Sequence, residues 1–346
     1  MTSRPISILD LAAVGHGESI GDSFAGSVAL ARLAERTGYT RIWYAEHHNI
    51  RSIASSATAV LIAHIAAHTE TIRFGSGGVM LPNHSPLVIA EQFGTLASLH
   101  PGRIDLGLGR APGSDQQTTY ALRRDPAAAE HFPQDVVELQ GLLSDESPIP
   151  GVKAIPGQGT HVPLSILGSS LFGARLAAVL GLPYGFASHF APQALHPAIR
   201  LYREQFQPSE QLTEPYVIAG VNVIAADTDD EARRLEAHSK RARVRSLFSR
   251  GERRLTDDEV ESILRSPQAA HVEQMMQYRA VGEPDAVVDY LDDFRRDTGA
   301  DELITVHHGD GVEARLRSVE LLAEAADLRG VAASTSSRAV GTPTAS

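Results

Sequence analysis

The segment Arg73–Asp115, RFGSGGVMLPNHSPLVIAEQFGTLASLHPGRIDLGLGRAPGSD, decides the fold. It reads as strand, glycine kink, capped helix, tight turn, strand and terminal arginine. Ile72 to Phe74 is β-branched and aromatic, Gly75-Ser-Gly-Gly interrupts the pleat, and Val79 to Leu81 resumes it. The backbone therefore deviates where the strand leaves its sheet, and a flat ligand has room to approach. Ser85 stands at the cap and Pro86 at the first helical position; Ile89, Phe93, Leu96 and Leu99 then share one helical face until Pro101-Gly102 stops the helix. The next strand, Arg103 to Gly109, ends on Arg110.

The same alternation runs outward in both directions. Strand-like runs occur at Ile6 to Val14, Arg41 to Glu46, Ile72 to Leu81, Arg103 to Gly109, Pro163 to Gly168, Tyr184 to Ser188, Tyr216 to Ala225 and Glu302 to His307, with helical patterns between them. Runs that are apolar on both faces, each followed by a helix, predict an α/β protein with a closed (β/α)8 TIM barrel; an open doubly wound sheet is the structural rival. Two irregular insertions, Ala111 to Pro133 after the fourth strand and Leu247 to Tyr278 before the eighth, are placed to cover or gate a site. A chain of 346 residues, 42% of them apolar, suits a single barrel domain over residues 1–330. Val331 to Ser346, built mostly of Ala, Ser, Thr, Gly and Pro, reads as a disordered tail.

Composition narrows the function. A formal net charge of -11 argues against a nucleic-acid surface but leaves room for one local basic pocket that takes a phosphate. With no cysteine, disulfides, thiol nucleophiles and thiolate metal sites are excluded, so redox chemistry has to come from a bound cofactor. The N-terminus has no long apolar core and no other run approaches membrane-spanning length; a cytoplasmic protein without a membrane partner is expected.

In a barrel the polar residues at strand exits carry the chemistry. Seven of the 15 histidines fall there: His16, His47, His48, His84, His189, His307 and His308. Any one of them is explained equally well as a tolerated loop residue; the set is not. Glu46-His47-His48 invites a metal reading, but adjacent strand residues point to opposite faces, so the two imidazoles cannot share an ion and no metal is expected. A single inward histidine working as proton donor or base fits better. Gly107-Leu-Gly109-Arg-Ala-Pro-Gly113 departs from a dinucleotide fingerprint at Pro112, and no capped amphipathic helix follows it directly. Arg110 is then either a phosphate ligand or a surface ion-pair partner. At Gly168-Ser169-Ser170 a strand turns into a helix; the glycine permits close approach, and the serines either cap the helix or donate to a phosphate beside free backbone N–H groups. With Arg110 on a neighbouring strand the phosphate reading gains.

From Ile6 to about Leu328 these residues resemble the bacterial luciferase-like family of flavin-dependent monooxygenases. The resemblance implies a non-proline cis peptide bulge beneath the flavin ring at Gly77-Gly78. It matches Glu46-His47-His48 to the family's Glu-His-His, with His47 and Glu46 as catalytic residues, Arg110 to its phosphate-binding arginine, and Ser169 and Ser170 to its serine-rich turn next to Gly168. His16, His189 and His308 are further candidates for the substrate pocket. Gly109 stands where true luciferase carries a reactive cysteine, so light emission from a long-chain aldehyde is not implied. The stretches PNHSPLVIAEQFGTL, PGRIDLGLGRAPGSD and FASHFAP resemble the single-component oxygenase branch found in bacterial genomes and in actinomycete polyketide pathways. That branch implies a homodimeric enzyme of secondary or antibiotic metabolism. It would receive reduced FMN (FMNH2) from a separate NAD(P)H:flavin reductase, form a flavin C4a-hydroperoxide with O2, and hydroxylate or epoxidise a small organic substrate such as a polyketide. The rival readings are a deazaflavin (F420)-dependent oxidoreductase, a metal-dependent barrel hydrolase and a flavin-binding protein without catalysis.

Overall fold

The β-rich runs of the sequence become nine parallel strands among the described residues: β1 (Ile6–Asp10), β2 (Arg41–Tyr44), β3 (Arg73–Met80), β4 (Ile104–Gly109), β5 (Leu164–Gly168), β6 (Tyr184–Phe186), β7 (Val217–Ala225), β8 (Arg279–Gly282) and β9 (Glu302–His307). The computed structural model describes residues 5–111, 116–249 and 253–329, so the tail expected at 331–346 lies outside the described residues. The strand order β6-β5-β4-β3-β2-β1-β9-β7 closes on itself through a β6–β7 pairing, giving an eight-stranded parallel barrel wrapped by helices. Among the described residues no helix is long and apolar enough to cross a membrane.

One strand lies outside the ring. β6 pairs with Val217–Ala219 and stops, whereas β7 runs on to Ala225; β8 pairs with the exposed continuation, Asn222–Ala225. Unsatisfied backbone groups on a long strand beside a short one are thereby paired. The four residues Arg-Ala-Val-Gly of β8 are too few to show alternation, so the sequence pattern does not reveal them. The segment 247–278, expected to be irregular, is mostly helical: it takes the end of the helix Asp229–Phe248 and adds the helices Asp257–Leu264 and Ala269–Met275. The first of these opens on a reciprocal capping box between Thr256 and Glu259, a Thr-x-x-Glu signal present in the sequence. The insertion after β4 likewise contains a short helix, Gln116–Ala121, and a 3-10 turn, Pro126–Glu130.

The helix Pro86–Leu99 starts at Ser85 as expected, but the Ser85 side chain makes no capping bond. It buries Ile89, Ala90, Phe93 and Leu96, while Leu99 is 62% exposed. At 3.6 residues per turn Leu99 lies about 80° round the helix from Ile89, off the buried stripe.

Alternate strand residues fill the barrel. Leu9, Trp43, Ala45, Ile218, Ile304 and Val306 form its apolar middle, with Leu167 packed against them. Below, at the strand starts, sits a charge knot. Arg41 donates from Nη1 to Asp105 Oδ2 at 2.8 Å and from Nη2 to Glu302 Oε2 at 3.1 Å. Arg73 also pairs with Asp105, and Tyr216 and Ser7 donate hydroxyls to Glu302. Glu302 is fully buried and Asp105 nearly so. The lower end is filled by a neutralised network, which leaves the upper end as the place for a ligand.

Removing the central cation leaves two buried carboxylates short of their partner. Arg41→Met is expected to cost about 3 to 5 kcal/mol. Arg317→Met, which breaks the exposed pairs with Asp227 and Glu320, is expected to cost at most about 1 kcal/mol. Urea denaturation of both variants checks the contrast, and equal losses would mean the knot carries no special weight.

Candidate active site

The upper end begins with Glu46, two residues past β2 and 1% exposed. Its carboxylate accepts from His48 Nε2 at 2.9 Å, His84 Nε2 at 2.9 Å, the Met80 N–H at 3.0 Å and Asn83 Nδ2 at 3.3 Å. Burial pushes its pKa up, but the hydrogen bonds and charge of His84, with those of His48 and Met80, outweigh this and hold it below the ordinary glutamate range. Glu46 thus ties the end of β2 to the end of β3 and the turn that follows. The pair that shares a face is Glu46 and His48. His47 turns the other way, its backbone N–H bonded to Ser55 O at 3.0 Å and its side chain close enough to His189 to oppose protonation there.

β3 and β4 meet backbone to backbone. The Gly77–Gly78 peptide is cis, and the β3–β4 register shifts between Ser76 and Val79. A Cβ on Gly78 would lie 2.7 Å from Gly107 O, one on Gly77 2.6 Å from Leu9 Cδ1, and one on Gly107 2.3 Å from Ser76 O. The glycines are therefore required first by the barrel's own packing. A side chain at Gly78 would strike the β4 backbone as well as any ligand, so loss of fold and loss of ligand binding would not separate there.

Beyond β4, Arg110 is exposed and has no carboxylate partner among the described residues. Its guanidinium lies 4.2 Å from the ring centroid of Phe172, in the first turn of the helix Leu171–Leu180. Ser170 occupies the N-cap position without a side-chain capping bond, and Ser169 is half-buried beside it. A guanidinium, uncapped helix N–H groups and two serine hydroxyls at adjacent strand ends make a suitable cradle for an anion. Gly168 leaves the approach open, because a Cβ there would meet nothing nearer than 3.9 Å.

The opposite wall, β7 and β9 with the turn after β6, carries two imidazoles. Asn222 Nδ2 donates to His189 O at 2.7 Å and Tyr278 O at 3.1 Å, so its Oδ1 is left to accept from His308 Nε2 at 2.7 Å. That fixes His308 as the Nε2–H tautomer with a bare Nδ1. The His189 ring lies where a Cβ on Gly220 would be, 2.4 Å from Nδ1, and this nitrogen is buried without a hydrogen-bond partner among the described residues. Burial, with the charge of Arg243 added, pushes both histidines down to about 3. Both are neutral at working pH.

Two expected histidines stand elsewhere. His16 is exposed on the turn after β1. His307 faces outward from the barrel, held by Ser318 at 2.8 Å and Thr305 at 3.1 Å, with burial lowering its pKa to about 3. Strand alternation separates it from His308. Three residues were not foreseen: Gly220 and Asn222, a glycine and an amide inside the apolar run of β7, and Arg243. Their signal was polar or side-chain-free positions in strand or helix stripes that should be apolar.

A carboxylate whose folded-state pKa is depressed stabilises the fold above its unfolded value, here 4.5, and that contribution disappears as pH falls through the folded value. Glu46→Gln should therefore be less stable than wild type at pH 7, by about 1 to 3 kcal/mol. The difference should shrink as pH falls below 4.5 and close once Glu46 is protonated in the folded state as well. Guanidinium midpoints across this range check it; a difference independent of pH would contradict an ionised Glu46.

A family model described as luciferase-like monooxygenase matches residues 5–302. The chain is 48% identical over 327 residues to a luciferase-like monooxygenase of Escherichia coli (strain K12), covering 93% of this chain and 97% of that one. It is 38% identical over 234 residues to the N-acetyl-S-alkylcysteine monooxygenase of Bacillus subtilis (strain 168), covering 66% of this chain and 69% of that one. Among solved structures, apo-MsnO8 superimposes with a TM-score of 0.84 at 38% identity, covering 94% of this chain and 99% of that one.

Proposed function

The chain belongs to the luciferase-like monooxygenase family and is a flavin-dependent monooxygenase, and from that premise we propose that it uses reduced FMN and O2 to hydroxylate or epoxidise a small organic substrate. Reduced FMN supplies the two electrons that divide O2 between the substrate and water. The observation that carries FMN is the Arg110 guanidinium, without a carboxylate partner among the described residues, beside the uncapped helix start at Ser170. These groups hold the phosphate, while Gly77-Gly78 and Gly107 offer backbone without side chains to the ring. His47 is the proton source on the adjacent strand. His189 and His308, neutral and opposite, hydrogen-bond the substrate without adding charge. The reductant comes from a separate NAD(P)H:flavin reductase, and the enzyme is a homodimer.

A substrate from polyketide or antibiotic metabolism is one reading of the branch resemblance. The likeness to N-acetyl-S-alkylcysteine monooxygenase favours a second, an S-alkyl amino-acid derivative.

Arg110→Ala is expected to weaken FMN binding by about 1.5 to 3 kcal/mol, as for a lost charge-assisted hydrogen bond. Riboflavin, which lacks the phosphate, should bind both proteins equally well. Absorbance titrations with FMN, riboflavin and F420 decide the cofactor: parallel losses for FMN and riboflavin remove the phosphate role, and tighter binding of F420 than of FMN overturns the FMN assignment.

His47→Ala should keep FMN affinity but lower oxygen transfer by about 10² to 10⁴. Supplied with reduced FMN and host extract, it should release hydrogen peroxide where wild type yields products heavier by one oxygen atom. Unchanged product yield by mass spectrometry would assign the proton to another group.

A further inference from the structure

The helix Asp229–Phe248 carries six Lys and Arg side chains, and five of them meet carboxylates. Arg233 pairs with Asp229 and Asp230, Arg234 with Asp310, Lys240 with Glu236 and Glu273, Arg241 with Glu261, and Arg245 with Asp257. Arg243 is the exception, with no carboxylate partner among the described residues. It is also in the wrong place for a solvated arginine. Ala232, Leu235, Ser239 and Val244 are the buried residues of the helix, and position 243 continues the four-residue row of Leu235 and Ser239, where an amphipathic helix would carry an apolar side chain.

Its surroundings do not satisfy it. Burial disfavours the charged guanidinium, and the groups it bears on are His189 and His308, whose protonation it opposes. A half-buried cation beside neutral imidazoles lacks, among the described residues, the counter-charge that normally offsets desolvation. The anion cradle of Arg110 and the serine turn stands at the ends of β4 and β5, whereas the histidines that Arg243 bears on follow β6 and β9.

We propose that Arg243 anchors an anionic group of the oxygenated substrate, a carboxylate, so that this enzyme's substrates are organic acids held between the flavin and the His189–His308 wall. The proposal rests on the flavin monooxygenase reading of the site. A planar guanidinium binds a carboxylate through two parallel hydrogen bonds, which fixes orientation as well as affinity. The neutral imidazoles then contact the rest of the molecule without competing for its charge.

The test uses the full chain loaded with FMN and pairs of an acid and its uncharged amide: benzoate with benzamide, hexanoate with hexanamide, and N-acetyl-S-benzylcysteine with its amide. Binding is read from the flavin absorbance change. In wild type at least one acid should bind about tenfold or more tightly than its amide, as for one charged hydrogen-bonded pair, and added salt should reduce the ratio. Arg243→Met should bring that ratio to near one while leaving FMN affinity unchanged, and Arg243→Lys should retain part of it. Thermal melts establish that each variant is folded; if the methionine variant is not, loss of most of the preference in the lysine variant decides in its place. Absence of acid preference in all three wild-type pairs, or a preference that survives both substitutions, overturns the proposal. So does a fall in FMN affinity with the acid preference intact, which would assign Arg243 to the cofactor. Should wild type bind no FMN, the functional reading fails by itself, and the same acid–amide comparison by calorimetry on the flavin-free protein still decides the role of Arg243.

Discussion

The structure depends on a charge balance at the bottom of its barrel. Arg41 stands between Asp105 and Glu302, with Arg73 on the second oxygen of Asp105 and two hydroxyls on Glu302. An apolar plug would have filled the same space at lower desolvation cost. The charged version brings directional bonds that join β1, β2, β3, β4, β9 and the residue before β7 at one level. With that level fixed and an apolar layer above it, the barrel has one open end, and the residues able to do chemistry are those that strand alternation delivers there.

At the open end the work divides between two walls. On the β3–β5 side the backbone is bare: Gly77, Gly78 and Gly107 pack so closely that no side chain fits, and Arg110 waits at the rim. The β6–β9 side is dense with side chains held by one another. Glu46, hidden under the β2–β3 corner, is committed to His48 and His84 and steadies the rim between the walls. This arrangement gives His47 and Glu46 distinct tasks although they are neighbours in the chain.

Much of this was legible in the sequence, for reasons that differ by element. Long β-branched runs alternating with capped helices can form few architectures, so the eight barrel strands emerge from pattern alone. The Gly75-Ser-Gly-Gly kink is visible because glycine inside a strand contradicts propensity and needs a local cause. β8 was hidden because its reason for existing is a neighbour's length: β7 outlasts β6, a fact of pairing that no four-residue string contains. The helices of 257–275 were concealed by their polar composition, although the Thr256–Glu259 box marked the first. Arg243 escaped notice because a single arginine in a basic helix looks like its five paired companions until each partner is found. His307 and His308 could be told apart by alternation alone, since one of two adjacent strand residues has to face away from the barrel.

Asn222 gives these parts a common pivot. One amide reaches the carbonyl of Tyr278, where the 249–278 excursion returns to the barrel, the carbonyl of His189 after β6, and the imidazole of His308 after β9. Three segments far apart in the chain are thus coupled through a group of four heavy atoms, with no contact to the cofactor side. A change of length or sequence in the excursion therefore reaches the imidazole wall through Tyr278, on the side away from the bare glycine backbone of β3 and β4. Such an architecture lets one wall of the mouth be reshaped by drift in a peripheral segment, with the other wall inherited unchanged.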